Sequence, residues 1–305
     1  MKRKEGGRGL TCIQNSIHRQ VNSVRENIEK RQKNEHILKI INLNNLNSTP
    51  IKDHFSAHIE KPLHGVYIKT NQFPCNTFLW LNKLNVRKDI ESTIFSVQEQ
   101  AYPTNNYKAK IEKKNCSSQG RFCQSAPETA LHLLSSCSVL AKKDYIERHN
   151  KVGKIFYQAF CTVYSIPFNQ KQTIAKISES RQIKLLWDFP ITTNKLVTHN
   201  RPDLIVHNKT TNTAIIIDFS IPNDQNVLDK YNEKVTKYLP LAAEIKLLWS
   251  LNSVRVQPLI FGCLGTFTNR TKKEVVKLNI PINLAVVQSV ILTEAVKIMK
   301  KLNYV

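Results

Sequence analysis

Long uninterrupted apolar runs are absent from this chain, which excludes an obvious membrane-spanning helix. The stretch from Leu284 to Val296 is apolar, but Gln288, Ser289 and Glu294 break it, and it reads as a C-terminal packing helix. The N-terminus lacks an apolar signal core. Cysteines are few and odd in number, seven at irregular spacing, which argues against a disulfide framework and for a reducing compartment, nuclear or cytoplasmic. The basic cluster Lys2-Arg3-Lys4 is too short to serve as a nuclear signal. No internal repeat is present, so a repeat array is excluded.

Acidic side chains are also scarce. Asp and Glu number 23 against 45 Lys and Arg, a net charge of +22. The first 200 residues carry 31 basic and 15 acidic residues and the remaining 105 carry 14 and 8, so the excess is spread along the chain. That distribution suits a polyanion whose backbone is tracked by several segments, and binding of that kind weakens steeply with salt. With 41% hydrophobic residues, the chain can build one or two cores of ordinary size.

The chemistry concentrates in the last third. Leu204 to Val206 and Ala214 to Ile217 are β-rich runs separated by the polar cluster Asn208 to Asn212, the pattern of a hairpin. Asp203 then starts one strand and Asp218 finishes its neighbour. In an antiparallel pair these positions are opposite, so two hard oxygen ligands come within reach of one Mg²⁺, which polarises a phosphate and activates water. After Ile221-Pro222, Asn223 or Asp224 can cap a helix whose apolar stripe is Val227, Tyr231, Tyr238, Leu241 and Ile245. Pro240 is expected to kink or restart it. Lys234 interrupts that stripe, and an ammonium on a buried face needs a partner, which the two carboxylates or a phosphate between them would supply.

Spacing alone leaves blander alternatives open. Strand-terminal aspartates commonly serve turns and caps, and a stripe lysine can carry its ammonium out to water. Tyr145, His149, Val152 and Phe156 follow helical spacing, so His149 also fits a core histidine bonded to backbone. Trp187 is expected in the core, and Val254, Val256 and Leu259 to Phe261 supply a further buried strand.

Several motifs carry a resemblance. Arg201-Pro202-Asp203, the run from Ile216 through Asp218 to Asp224, Glu233-Lys234-Val-Thr-Lys237-Tyr238 and Gly262-Cys-Leu-Gly265-Thr266 resemble the restriction-like endonuclease at the C-terminus of site-specific non-LTR retrotransposon polyproteins. That domain belongs to the PD-(D/E)xK nuclease superfamily. The resemblance implies an α/β fold in which Asp203 and Asp218 bind Mg²⁺ or Mn²⁺. Ser220 stands where the lysine usually does, so Lys234 or Lys237 is the migrated lysine, and Lys237 with Tyr238 contacts the DNA backbone.

The match continues upstream. Lys2 to Leu10 resembles the segment after the reverse-transcriptase core, and Gln98 to Ile111 the connecting region. Arg121-Phe-Cys123, Glu128-Thr129, His132, Cys137 and Arg148-His149-Asn150 resemble a CCHC knuckle and the RH(D/N) helix. The resemblance implies that Cys123, His132 and Cys137 hold Zn²⁺, that Arg148 and His149 face nucleic acid, and that target DNA and element RNA are partners. Gly120 occupies the first cysteine's place, and Cys116 is the candidate substitute; a reduced cysteine pair beside a polar histidine is the alternative.

No Tyr-x-Asp-Asp polymerase signature occurs, so the chain reads as the terminal portion of a polymerase-containing polyprotein. Its expected organisation is a mostly helical linker over 1–110, a degenerate knuckle with its helix over 111–165, and the nuclease domain over 166–305. The expected activity is nicking of target DNA to prime reverse transcription. The rival expectations are a catalytically inactive nucleic-acid-binding remnant and a product that does not fold without its polymerase.

Overall fold

A computed structural model describes residues 78–83, 86–169 and 172–304, with isolated helical positions at 20, 23 and 26. The Lys2-to-Leu10 segment and the Asn-rich stretch at 42–47 with Pro50 lie outside the described residues. Three helices open the described chain, α1 (Leu79–Lys83), α2 (Lys88–Gln98) and α3 (Asn105–Lys110). Next comes α4 (Ala130–Ser135), where the Thr129 hydroxyl caps the His132 N–H at 3.0 Å. A helical turn at Ser138–Leu140 and a π-helical turn at Ala141–Tyr145 lead into α5 (Ile146–Val163).

The second half contains β1 (Ile177–Glu179), β2 (Ile183–Trp187), β3 (Leu204–Asn208), β4 (Thr213–Ser220), α6 (Val227–Leu248), β5 (Ser253–Ile260), α7 (Asn269–Lys277) and α8 (Leu284–Lys300). The strands form one mixed sheet in chain order, antiparallel from β1 to β4, with β5 parallel to β4 because α6 carries the chain back across. The protein is thus mixed α/β, and about half of the described residues are helical.

The β3–β4 hairpin forms where the β-branched runs predict it. Its turn is closed by the Asn208 side-chain oxygen, which accepts from the Thr210 and Thr211 N–H groups at 3.0 Å each, and by Asn212 at φ 53°. Alternation along β4 sends Ile217 and Phe219 into a core with Val152, Phe156 and Phe160 of α5, and Ala214 and Ile216 into a core with Leu241 and Ile245 of α6. The sheet is therefore covered on both faces. The expected strand of Val254, Val256 and Leu259 to Phe261 is β5, which ends at Ile260, one residue short of Phe261; Trp187 is buried in the α5-side core, and α8 is the expected packing helix.

Two local expectations are corrected. α6 does not restart at Pro240: the helix continues from Val227 to Leu248 with the proline inside it, where the ring removes one backbone donor. Asn223 caps a 3₁₀ turn at Asp224–Asn226 and not α6 itself, while Asp224 is drawn away to accept from the Leu264 N–H at 3.0 Å and from the Thr266 hydroxyl. A Cβ at Gly262 would collide with that carboxylate, which accounts for glycine there.

The expected boundaries at 110/111 and 165/166 do not separate the apolar cores. Trp80, Ile94, Leu133 and Leu134 share one cluster with Leu292, Val296 and Met299 of α8, whose Val287 and Ile291 belong to the sheet's core. Gln288 stitches the join: its Nε2 donates to Gly265 O at 2.6 Å and its Oε1 accepts from the Trp80 N–H at 2.9 Å. Among the described residues no helix is long and apolar enough to cross a membrane.

Candidate active site

Register builds the acidic pair. Leu204 pairs with Ile217, so Asp203, one residue before β3, stands across from Asp218 near the end of β4. The Phe219 N–H donates to Asp203 Oδ2 at 2.7 Å and fixes that carboxyl at the strand's mouth. Asp218 shares the α6-facing parity of Ile216, which turns it towards Lys234 and Tyr238 of that helix. Lys234 Nζ lies 2.7 Å from Asp218 Oδ2 as an ion pair, yet no donor meets this buried oxygen at a hydrogen-bonding angle. Burial raises the Asp218 pKa, and the charge of Asp203 adds to the rise, against the opposing pull of Lys234 and Tyr238.

A carboxylate oxygen buried without an aligned donor, opposite a second carboxylate, is a donor set suited to a hard divalent cation. Asp203 and Asp218 thus fit the Mg²⁺ or Mn²⁺ expected of them. They line a cleft of about 540 Å³ with His149, Lys234 and Lys237. Lys237 Nζ sits 4.7 Å from the Tyr238 ring centre, and burial, followed by the charge of Lys234, lowers its pKa. Arg201 is held at the rim by Asp188, 2.6 Å away, which also pairs with Lys176.

His149 enters this site from α5. Its Nε2 donates to Asp203 Oδ2 at 3.0 Å and approaches Phe219 O at 3.2 Å, while Nδ1 meets Asn150 Oδ1 at 3.1 Å. Burial would depress the imidazole, but the hydrogen bond and charge of Asp203 outweigh it and lift the pKa to about 9. His149 is therefore neither a plain core histidine nor a freely projecting nucleic-acid contact. Nothing in the sequence announces this pairing, because the partners are 54 positions apart.

Two expected nucleic-acid contacts are corrected. Arg148 is only 1% exposed: its Nη2 donates to Leu134 O at 2.7 Å and its guanidinium lies 5.2 Å from the Tyr145 ring centre. Tyr238 is 2% exposed, with its hydroxyl beside Asp218, and burial raises its pKa. Arg148 ties α5 to α4, and Tyr238 furnishes the floor beneath the acidic pair.

The Cys/His segment is built around α4, with His132 on that helix, Cys123 before it and Cys137 after it. Cys123, His132 and Cys137 bring their ligand atoms within 4.8 Å of one another, with Cys123 Sγ 3.2 Å from His132 Nε2. Hydrogen bonds from the Ser125 side chain and backbone, then from His132 and Cys137, lower the Cys123 thiol to about 6 against the effect of burial. Three soft or imidazole donors fit Zn²⁺ as an incomplete tetrahedron.

The proposed substitute, Cys116, is exposed and does not join the group. The reason is local: Gly120 N–H donates to Ala126 O at 2.9 Å, which folds position 120 over the group, and a Cβ there would stand 3.4 Å from Cys123 Sγ. Tyr145 clasps the same segment, accepting from the Cys137 N–H at 3.0 Å and donating to Leu133 O at 2.8 Å. No family model matches the chain, and no curated protein matches it.

Proposed function

We propose that this protein is a metal-dependent DNA endonuclease of the PD-(D/E)xK restriction-like class, derived from a site-specific non-LTR retrotransposon, which nicks target DNA so that reverse transcription can be primed. The observation that carries the reading is the opposition of Asp203 and Asp218 across the β3–β4 register, with the Lys234 ammonium 2.7 Å from Asp218 Oδ2 inside a cleft. The spread of positive charge along the chain supports a nucleic-acid substrate.

Asp203 and Asp218 would hold Mg²⁺ or Mn²⁺. Bound there, the ion would supply Lewis acidity to a phosphate oxygen. Lys234 places a positive charge beside the acidic pair, where negative charge builds on the phosphate as water attacks. Hydrolysis forms a bond from the water oxygen to phosphorus and breaks the bond to the 3′ oxygen, which takes a proton and is left as a free 3′ hydroxyl. His149, bonded to Asp203 Oδ2, orients that carboxylate from the side opposite α6. Cys123, His132 and Cys137 would hold Zn²⁺ away from the chemistry, bracing α4 and, through Tyr145 and Arg148, the helix that carries His149.

The test is conversion of supercoiled DNA to the open circular form with Mg²⁺ or Mn²⁺, comparing the protein with Asp203→Ala and Asp218→Ala and measuring DNA binding by all three. Nicking that disappears in both variants while binding persists is expected. Equal nicking by all three overturns the assignment, and binding without turnover in the unaltered protein favours the inactive remnant.

A further inference from the structure

The cleft at the acidic pair continues past His149. Across Ile146, Asn150 and Trp187 it joins a second depression of about 470 Å³ on the outer side of α5, walled by Lys142, Lys143 and Lys154. The charges along this trough do not cancel. Its one carboxylate in the second depression, Glu147, is taken by Lys151 at 2.5 Å, and Lys151 also pairs with Glu294 at 2.9 Å. Lys151 is thereby neutralised, and Asp188 near the acidic pair is occupied by Arg201 and Lys176. Lys142 and Lys143 are exposed, with no carboxylate at ion-pair distance among the described residues. Lys154 is steered along the wall by the Phe168 ring, 5.6 Å from its ammonium.

Length and chemistry agree on one occupant. From Lys143 to Lys154 the helical backbone advances about 16 Å at 1.5 Å per residue. A DNA strand carries one phosphate for about every 3.4 Å of axis and winds about that axis, so neighbouring phosphates are further apart along the strand itself, and a wall of this length still spans more than one of them. Where the two depressions meet, Ile146 is 53% exposed between basic neighbours, an apolar surface suited to a deoxyribose and unsuited to an acidic side chain.

We propose that this trough is the path of the DNA backbone on one side of the scissile bond, with Lys142 and Lys143 at one end and Lys154 at the other meeting phosphates of the same strand and Ile146 packing on the sugar between the two depressions. The inference rests on the endonuclease reading for its polarity, but its binding prediction stands apart from turnover.

The experiment uses the full chain, fluorescence anisotropy of a labelled duplex over a salt series, and the triple variant Lys142→Gln/Lys143→Gln/Lys154→Gln. Lys272→Gln/Lys273→Gln, an exposed pair on α7 that lines neither depression, is the control. Loss of three phosphate contacts makes the slope of log affinity against log salt shallower by about 2 to 3 and weakens binding about tenfold or more near physiological salt, with the control unchanged. A cysteine-directed photocrosslinker on Ile146→Cys should mark nucleotides on one side of the nick.

A triple variant with the parental slope overturns the path, even if the parent protein nicks. A parent that never nicks, paired with a triple variant of shallower slope, removes the endonuclease reading and leaves the path standing. Equal displacement of DNA by polyglutamate at matched charge overturns the nucleic-acid assignment in favour of an acidic polypeptide.

Discussion

Arg148 and His149 are consecutive on α5 yet belong to different parts of the molecule: Arg148 donates into the end of α4 at Leu134 O, and His149 donates to Asp203 Oδ2 at the mouth of the sheet. The pair fastens the Cys/His segment and the acidic pair to one helix. A rotation of α5 that served one contact would disturb the other.

The His149 contact has a pH signature. A pKa raised from 6.5 to about 9 means that its contribution to stability is complete below about pH 6.5 and is lost as pH rises through about 9. A shift of that size corresponds to about 3 kcal/mol. Urea unfolding between pH 6 and 10 should show this loss, and His149→Gln should remove it. The difference between the two profiles isolates His149 from the Cys123 thiol, whose lowered pKa acts in the opposite direction over the same range. Parallel profiles for the two proteins would refute the ion pair.

Lys234 neutralises a carboxylate that is 3% exposed. Lys234→Ala should therefore lower stability by about 3–5 kcal/mol in the presence of a chelator, because it strands a buried charge. The double variant Asp218→Asn/Lys234→Met should recover most of that loss while remaining unable to nick. Chemical denaturation of the parent, Lys234→Ala and the double variant makes the comparison; a double variant no more stable than Lys234→Ala counts against the pair.

Gly153 reverses an ordinary rule. Alanine in a helix is normally better than glycine by about 1 kcal/mol. A Cβ here would stand 2.6 Å from Trp187 Cη2 and 3.2 Å from the Phe219 ring, so Gly153→Ala should destabilise by about 1–3 kcal/mol. A raised melting temperature would mean that α5 does not seat against Trp187.

Zinc should bind the unaltered protein with an incomplete ligand set, and Gly120→Cys should add the missing thiolate beside Cys123 Sγ. Competition against a chromophoric chelator should report affinity at least about tenfold higher for the variant. Cys116→Ser should leave affinity unchanged, since that thiol is exposed and apart from the group.

What the sequence disclosed follows from range. The hairpin was legible because two β-branched runs flank a polar turn, and the opposition of Asp203 and Asp218 follows from that local register. Lys234 was legible as a charge where the stripe called for an apolar residue. The misjudged residues depend on contacts far along the chain. Arg148 looks like a surface cation until α4, 14 positions earlier, offers a carbonyl that accepts its hydrogen bond, and Asp224 looks like a cap until the loop 40 positions later closes on it. Cys116 is near the group in sequence, whereas the Gly120-to-Ala126 bond sets which position faces the thiolates.

The sharing of α8 between two apolar clusters makes the chain hard to subdivide. Removing the segment from residue 284 onward would uncover Trp80 of one cluster and Phe261 of the other, so the remaining piece should be insoluble when expressed alone and recover only when α8 is supplied. Any lineage that inherits this arrangement must keep or lose both halves together.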